Sequence, residues 1–176
     1  MTLAFENFLK QHNAEGSEKA DGYSTSLLTE LDVNEKEMAF ELLESKLPWS
    51  IEWLFLLDRD KALSTAKEEE AKRRGDSYAD VFMLQQQIVE HSGDLAYQER
   101  MIEDYFHYID GKKPLVIDAI SRTPVTEAAL NFFKKIILVE TNRSAVARAS
   151  RHILNTTRIS RSKDSEKNYM IGCLAT

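Results

Sequence analysis

With 176 residues, of which 43% are hydrophobic and 30% charged, the chain has the size and composition of a globular protein with a wet surface, which excludes a wholly disordered chain and a small domain that needs a staple. A single cysteine, Cys173, excludes an internal disulfide framework and a cysteine-built zinc site. The net charge of −6 is unevenly spread: residues 112–176 carry 12 Lys/Arg against 5 Asp/Glu, and residues 1–111 carry 11 against 24, so an acidic body precedes a basic last third.

Leu3, Phe5, Phe8 and Leu9 form an apolar cluster that predicts a short helix, followed by a polar loop with two glycines, Gly16 and Gly22. Residues 1–23 are therefore expected to form a loosely attached segment. Asn34 with Glu37 has the form of a reciprocal cap, after which Met38, Leu42 and Leu43 recur at helical spacing until Pro48. Residues 49–57 are almost wholly apolar, too short to span a membrane and too apolar for a surface, and predict a buried central helix.

Asp58 or Asp60 is placed to cap a helix over 61–74, closed by Gly75, whose outer face would carry Glu68, Glu69, Glu70, Lys72, Arg73 and Arg74. Asp76 and Ser77 start another helix with Val81, Leu84, Ile88 and Val89 as its inner stripe, ending at Gly93. Asp94 starts the next, which runs through Ile102, Tyr105 and Ile109 to Gly111. A compact apolar helix follows Pro114, Thr123-Pro124 opens one that ends near Val139, and a last one spans about 144–154. Short connections make neighbouring helices fold back on one another. The expectation is an all-α fold of about seven to eight helices in antiparallel hairpins, a compact array or short α-solenoid, as one domain over 1–160 with a polar tail at 161–176. No segment reaches the roughly 20 apolar residues of a membrane span, and the N-terminus lacks a signal-peptide pattern, so the expected location is cytoplasmic.

The most chemically suggestive spacing is Asp104-x-x-His107, with Glu99 and Glu103 one turn away and Glu90-His91 on the preceding helix. A di-iron bundle needs two such motifs, and only one is present, with Asp where Glu is usual, so no metal and no cofactor is assigned and a helical-bundle metalloenzyme centred on Asp104 and His107 stays the lesser alternative. His12, His91 and His152 stand singly, without an obvious partner. No nucleophile turn, phosphate loop or zinc-protease helix occurs, and the chain reads as a binding protein rather than an enzyme.

Two charged groups are candidate contact surfaces. Glu68, Glu69, Glu70, Asp76 and Asp80 read either as a solvated face or as an electrostatic lure for a basic protein partner. Trp49, directly after Pro48, reads as core or as an interface anchor. Arg148, Arg151 and Arg158 form a stripe if the last helix continues to residue 160, with Arg143 close by; it would contact nucleic acid or merely complement the helix dipole.

The stretch from Ile137 to Ala149, continuing to Ile153 and Leu154, resembles the helix-turn-helix junction of HEAT-type repeats: an apolar helix end, a short acidic turn and a Val-Arg-x-x-Ala-like opening. A partial echo is Leu54 to Leu63. The resemblance implies that the chain grips another macromolecule along a helical surface. Small acidic helical chains of this look are similar in type to bacterial immunity proteins, which implies an inhibitor that covers the active surface of a basic toxin.

Overall fold

The computed structural model describes residues 1–14 and 22–156. Among them are ten α-helices, one 3-10 turn and no strand, so the fold is all-α with more helices than expected. One unforeseen helix is α2 (Thr25–Glu30), whose polar sequence buries only Leu28. The chain divides into two compact units, Met1–Tyr97 and Gln98–Thr176. The charge divides with them: residues 1–97 hold 10 Lys/Arg and 20 Asp/Glu, and residues 98–176 hold 13 and 9.

The first unit contains α1 (Leu3–Asn13), α2, α3 (Val33–Glu44), α4 (Ile51–Leu57), α5 (Arg59–Arg73) and α6 (Val81–Ser92). The apolar run at 49–57 is its hub: α4 packs against α2, α3, α5 and α6 and buries Ile51, Leu54 and Phe55. Its capping residue Ser50 is fully buried and donates its hydroxyl to the Leu43 carbonyl.

The N-terminal segment is tied in over α1, where Phe5 and Phe8 are 2% and 0% exposed. Thr2 donates from its backbone N–H and from Oγ1 to the buried Glu35 carboxylate, at 2.6 and 2.8 Å. Glu35 also closes a reciprocal cap with Asp32, two residues before the expected Asn34 and Glu37 pair. The earlier start follows from burial. Asp32 and Glu35 satisfy each other's backbone donors while Glu35 reaches Thr2, which Glu37, on the outer face, does not.

Asp58 caps α5 by accepting from the Lys61 N–H at 3.0 Å. Residues 76–80 form a turn rather than helix, with Asp76 accepting from the Tyr78 N–H at 2.8 Å, and α6 starts at Val81 and ends at Gly93 (φ +73°).

In the second unit, α7 (Ala96–Asp104, beginning just before the boundary) ends sooner than expected, and Tyr105–His107 continues as a 3-10 turn. Three residues per turn places Tyr105 and Tyr108 on one side, where they are 0% and 6% exposed. Then come α8 (Lys113–Arg122), α9 (Glu127–Val139) and α10 over 143–156, with α8 packed on α9 and on the 3-10 turn.

Thr123 ends α8 in extended backbone, as a residue before proline prefers, and the cap of α9 is Thr126 instead. Gln98, 1% exposed, holds this corner: Nε2 donates to Thr123 Oγ1 and the Pro124 carbonyl, and Oε1 accepts from Thr126 Oγ1 at 2.6 Å. Gln98→Ala should destabilise the chain by about 2–3 kcal/mol, because it strands buried partners. Urea unfolding checks this; a midpoint within error of wild type would show that the corner holds without Gln98.

Candidate functional site

The five acidic residues expected to form one face do not do so. On α5, positions 62, 66 and 70 share one side, and Ala62, Ala66 and Glu70 are all buried there. Glu70 is 1% exposed and accepts from Gln85 Nε2 at 3.0 Å, so its place is inside the unit rather than on the outer surface. Glu69 is bonded to Lys72 at 2.8 Å and Arg73 at 2.9 Å, and the Lys72 bond is the main reason its pKa lies below the ordinary value. Glu68 and Asp76 are exposed, and Asp80 is half-buried at the start of α6.

Trp49 is half-buried, 4.8 Å from the Trp53 ring and 5.8 Å from Tyr23. The group extends through Phe8, 5.3 Å from Tyr23, and Trp53 Nε1 donates to the Tyr23 carbonyl at 3.1 Å. These rings close the unit around Gly22, whose φ is +74°.

A more coherent acidic surface lies on α3. Ala39, Phe40 and Leu43 face inward, while Glu37, Met38, Glu41 and Glu44 are exposed, with Met38 at 52%. Spacings of four and three put the carboxylates along one side. Glu37 has Lys61 at 3.6 Å, a solvent-exposed pair of little net strength. Among the described residues no cation lies within ion-pair distance of Glu41 or Glu44. Beside the ridge opens a groove of about 210 Å³ lined by Val33, Phe40, Leu57 and Lys61, with the Lys61 ammonium 4.4 Å from the Phe40 ring centre. The sequence signal for this ridge was the 37/41/44 spacing, overshadowed by the contiguous run at 68–70.

The arginines are only partly available. Arg148 is bonded to Asp118, whereas Arg143 and Arg151 are exposed. Five residues separate Arg143 from Arg148, about 140° around the helix, so they point apart. Arg158, the tail at 161–176 and Cys173 lie outside the described residues.

The histidines expected to stand alone have partners. His12 Nδ1 is 2.9 Å from the Tyr23 hydroxyl. His91 lies flat on Phe55, ring centres 3.8 Å apart, and burial followed by the Arg59 charge lowers its pKa. His152 Nε2 is 3.3 Å from Asp118, and burial with the charges of Arg151 and Arg148 lowers its pKa too. Burial and the neighbouring arginines thus disfavour the charged imidazole, although its ring nitrogen stands at hydrogen-bond distance from a carboxylate. His107 is exposed in the 3-10 turn, and among the described residues no three His, Cys, Asp or Glu side chains converge as metal ligands would.

The described helices include none long and apolar enough to cross a membrane. No protein-family model matches the chain, and no curated protein or solved structure does either.

Proposed function

We propose that this chain is a cytoplasmic protein-binding module whose acidic N-terminal unit docks a basic protein surface, as an inhibitor would cover the cationic cleft of a nuclease-like toxin. The observation that carries the reading is the outer face of α3, where Glu37, Glu41 and Glu44 form a row with the exposed Met38 beside it. A row of exposed carboxylates raises the local concentration of a cationic partner and aligns it, and an apolar side chain beside them supplies contact area once water is expelled. Helical hairpins of HEAT type offer extended faces for docking of this kind.

The tagged chain should retain a basic protein from lysate of its source at low salt and release it as salt rises. Reversing Glu41 and Glu44 to lysine should weaken retention by about tenfold or more, because like charges then oppose each other across the contact. Retention unchanged by the double reversal, or no protein retained at low salt, would sink the reading.

A further inference from the structure

The second unit carries a surface of opposite character. On α9 the outward residues are Asn131, Lys134, Lys135, Ile137, Leu138 and Val139, with Leu138 82% and Val139 57% exposed. Lys135 Nζ stands 4.8 Å from the ring centre of Phe106, itself 47% exposed. Beside it a groove of about 370 Å³ is lined by Ile102, Glu103, Phe106, Ala128, Phe132 and Lys135, so its wall carries one carboxylate as well as the lysine. A basic helix face with its most exposed leucine one turn beyond two lysines is complementary to an acidic helix that carries an apolar side chain beside carboxylates.

The α3 ridge of this same chain has that pattern. Met38 lies beside the row of Glu37, Glu41 and Glu44, and each helix leaves an exposed strip of apolar and charged residues. The unit charges are opposite as well, 20 acidic against 10 basic residues in one and 9 against 13 in the other. We propose that α9 and the Phe106 groove of one copy seat the α3 ridge of a second copy, head to tail. The inference rests on the reading of α3 as a docking surface and adds a second occupant for it, one that competes with the basic partner.

Because the two faces differ, each copy offers one face of each kind, and the rotation between successive copies decides whether the contact closes into a ring or runs on. One helix laid on another is a small interface, so the association is weak and salt-sensitive.

Sedimentation equilibrium of the full chain tests this. At low salt the average mass should rise above that of the monomer with concentration, and it should return to the monomer mass at high salt. Leu138→Asp, and separately Lys134→Glu with Lys135→Glu, should weaken self-association by about tenfold or more while leaving capture of the basic partner intact. Circular dichroism confirms that each variant is folded. The decisive measurement mixes the chain reversed at Lys134 and Lys135 with the chain reversed at Glu41 and Glu44. Each alone should be monomeric, yet one keeps an intact α3 and the other an intact α9, so together they should form a complex.

A wild-type mass fixed at the monomer value at low salt would overturn the proposal, and so would a mixture that forms no complex. Monomeric chain that sediments with anionic phospholipid vesicles through Lys134 and Lys135 would assign the face to lipid instead. Wild-type chain that captures a basic protein but does not self-associate leaves only the inhibitor reading standing, and wild-type chain that self-associates but captures no protein leaves only this one.

Discussion

Glu140→Ala is expected to destabilise the second unit by about 3–5 kcal/mol, the cost of removing one member of a buried, charged network. The Glu140 side chain is 3% exposed and receives four donors: the N–H groups of Thr141 and Asn142 at 2.8 and 2.9 Å, the Tyr105 hydroxyl at 3.1 Å and the Lys113 ammonium at 3.3 Å. Asn142 then caps α10 through the N–H groups of Ser144 and Ala145, and its amide donates to the Asp110 carbonyl. One carboxylate thus fixes the turn into α10, the 3-10 turn and the start of α8. Without it, Lys113 keeps only the exposed Asp110 as an acidic partner among the described residues, and the buried Tyr105 hydroxyl loses its acceptor.

The same contacts set an acid sensitivity. Burial pushes the Glu140 pKa up, but its donors outweigh burial and hold it below the ordinary 4.5. The folded chain therefore binds this proton less readily than the unfolded chain does. The stabilisation is present above about pH 4.5 and is lost as pH falls through the folded value. Glu35 and Glu69 shift in the same direction, Glu35 because donors from Thr2 and Asp32 outweigh burial. Tyr105 has the opposite consequence. Burial and the Glu140 charge raise its pKa far above 10, so stability declines as pH climbs past that value. Thermal melts from pH 7 to pH 3 should show the wild type losing Tm below about 4.5, with Glu140→Gln lower at neutral pH but less steep in acid. Parallel curves for the two proteins would remove Glu140 from the account of acid unfolding.

Gly22→Ala is expected to lower Tm by about 10 °C, equivalent to about 3–4 kcal/mol in a chain of this length. Two costs combine. The backbone at Gly22 has φ +74°, where a side chain is strained, and the added Cβ would lie 2.4 Å from Trp53 Cζ2. Trp53 has little room to yield, because its Nε1 is bonded to the Tyr23 carbonyl and its ring packs against Trp49 and Tyr23. Gly75 and Gly93 are internal controls: φ is +95° and +73° with nothing within 4 Å of a built Cβ, so alanine there incurs the backbone strain alone, about 1 kcal/mol. Equal losses at all three glycines would mean that the ring moves aside freely.

Helical periodicity made the fold class legible, and the apolar run at 49–57 identified the hub of the first unit. What escaped the sequence depended on partners distant along the chain. The cap of α3 slid to Asp32 and Glu35 because Thr2, 33 residues away from Glu35, supplies donors that local spacing does not reveal. The acidic run at 68–70 looked like one surface, yet successive residues turn about 100° around a helix. Ala62 and Ala66, four apart, already marked the side on which Glu70 is buried. The 3-10 turn at 105–107 escaped because an α-helical reading of Ile102, Tyr105 and Ile109 leaves out the pairing of Tyr105 with Tyr108.

Both tryptophans of the chain, Trp49 and Trp53, belong to the aromatic cluster around Gly22, and the second unit has none. The protein therefore carries its own optical label on one half. Indole emission follows the packing of the first unit alone, whereas the far-ultraviolet signal, spread over helices in both, follows the whole chain. Superimposed, the two unfolding curves distinguish one cooperative block from two.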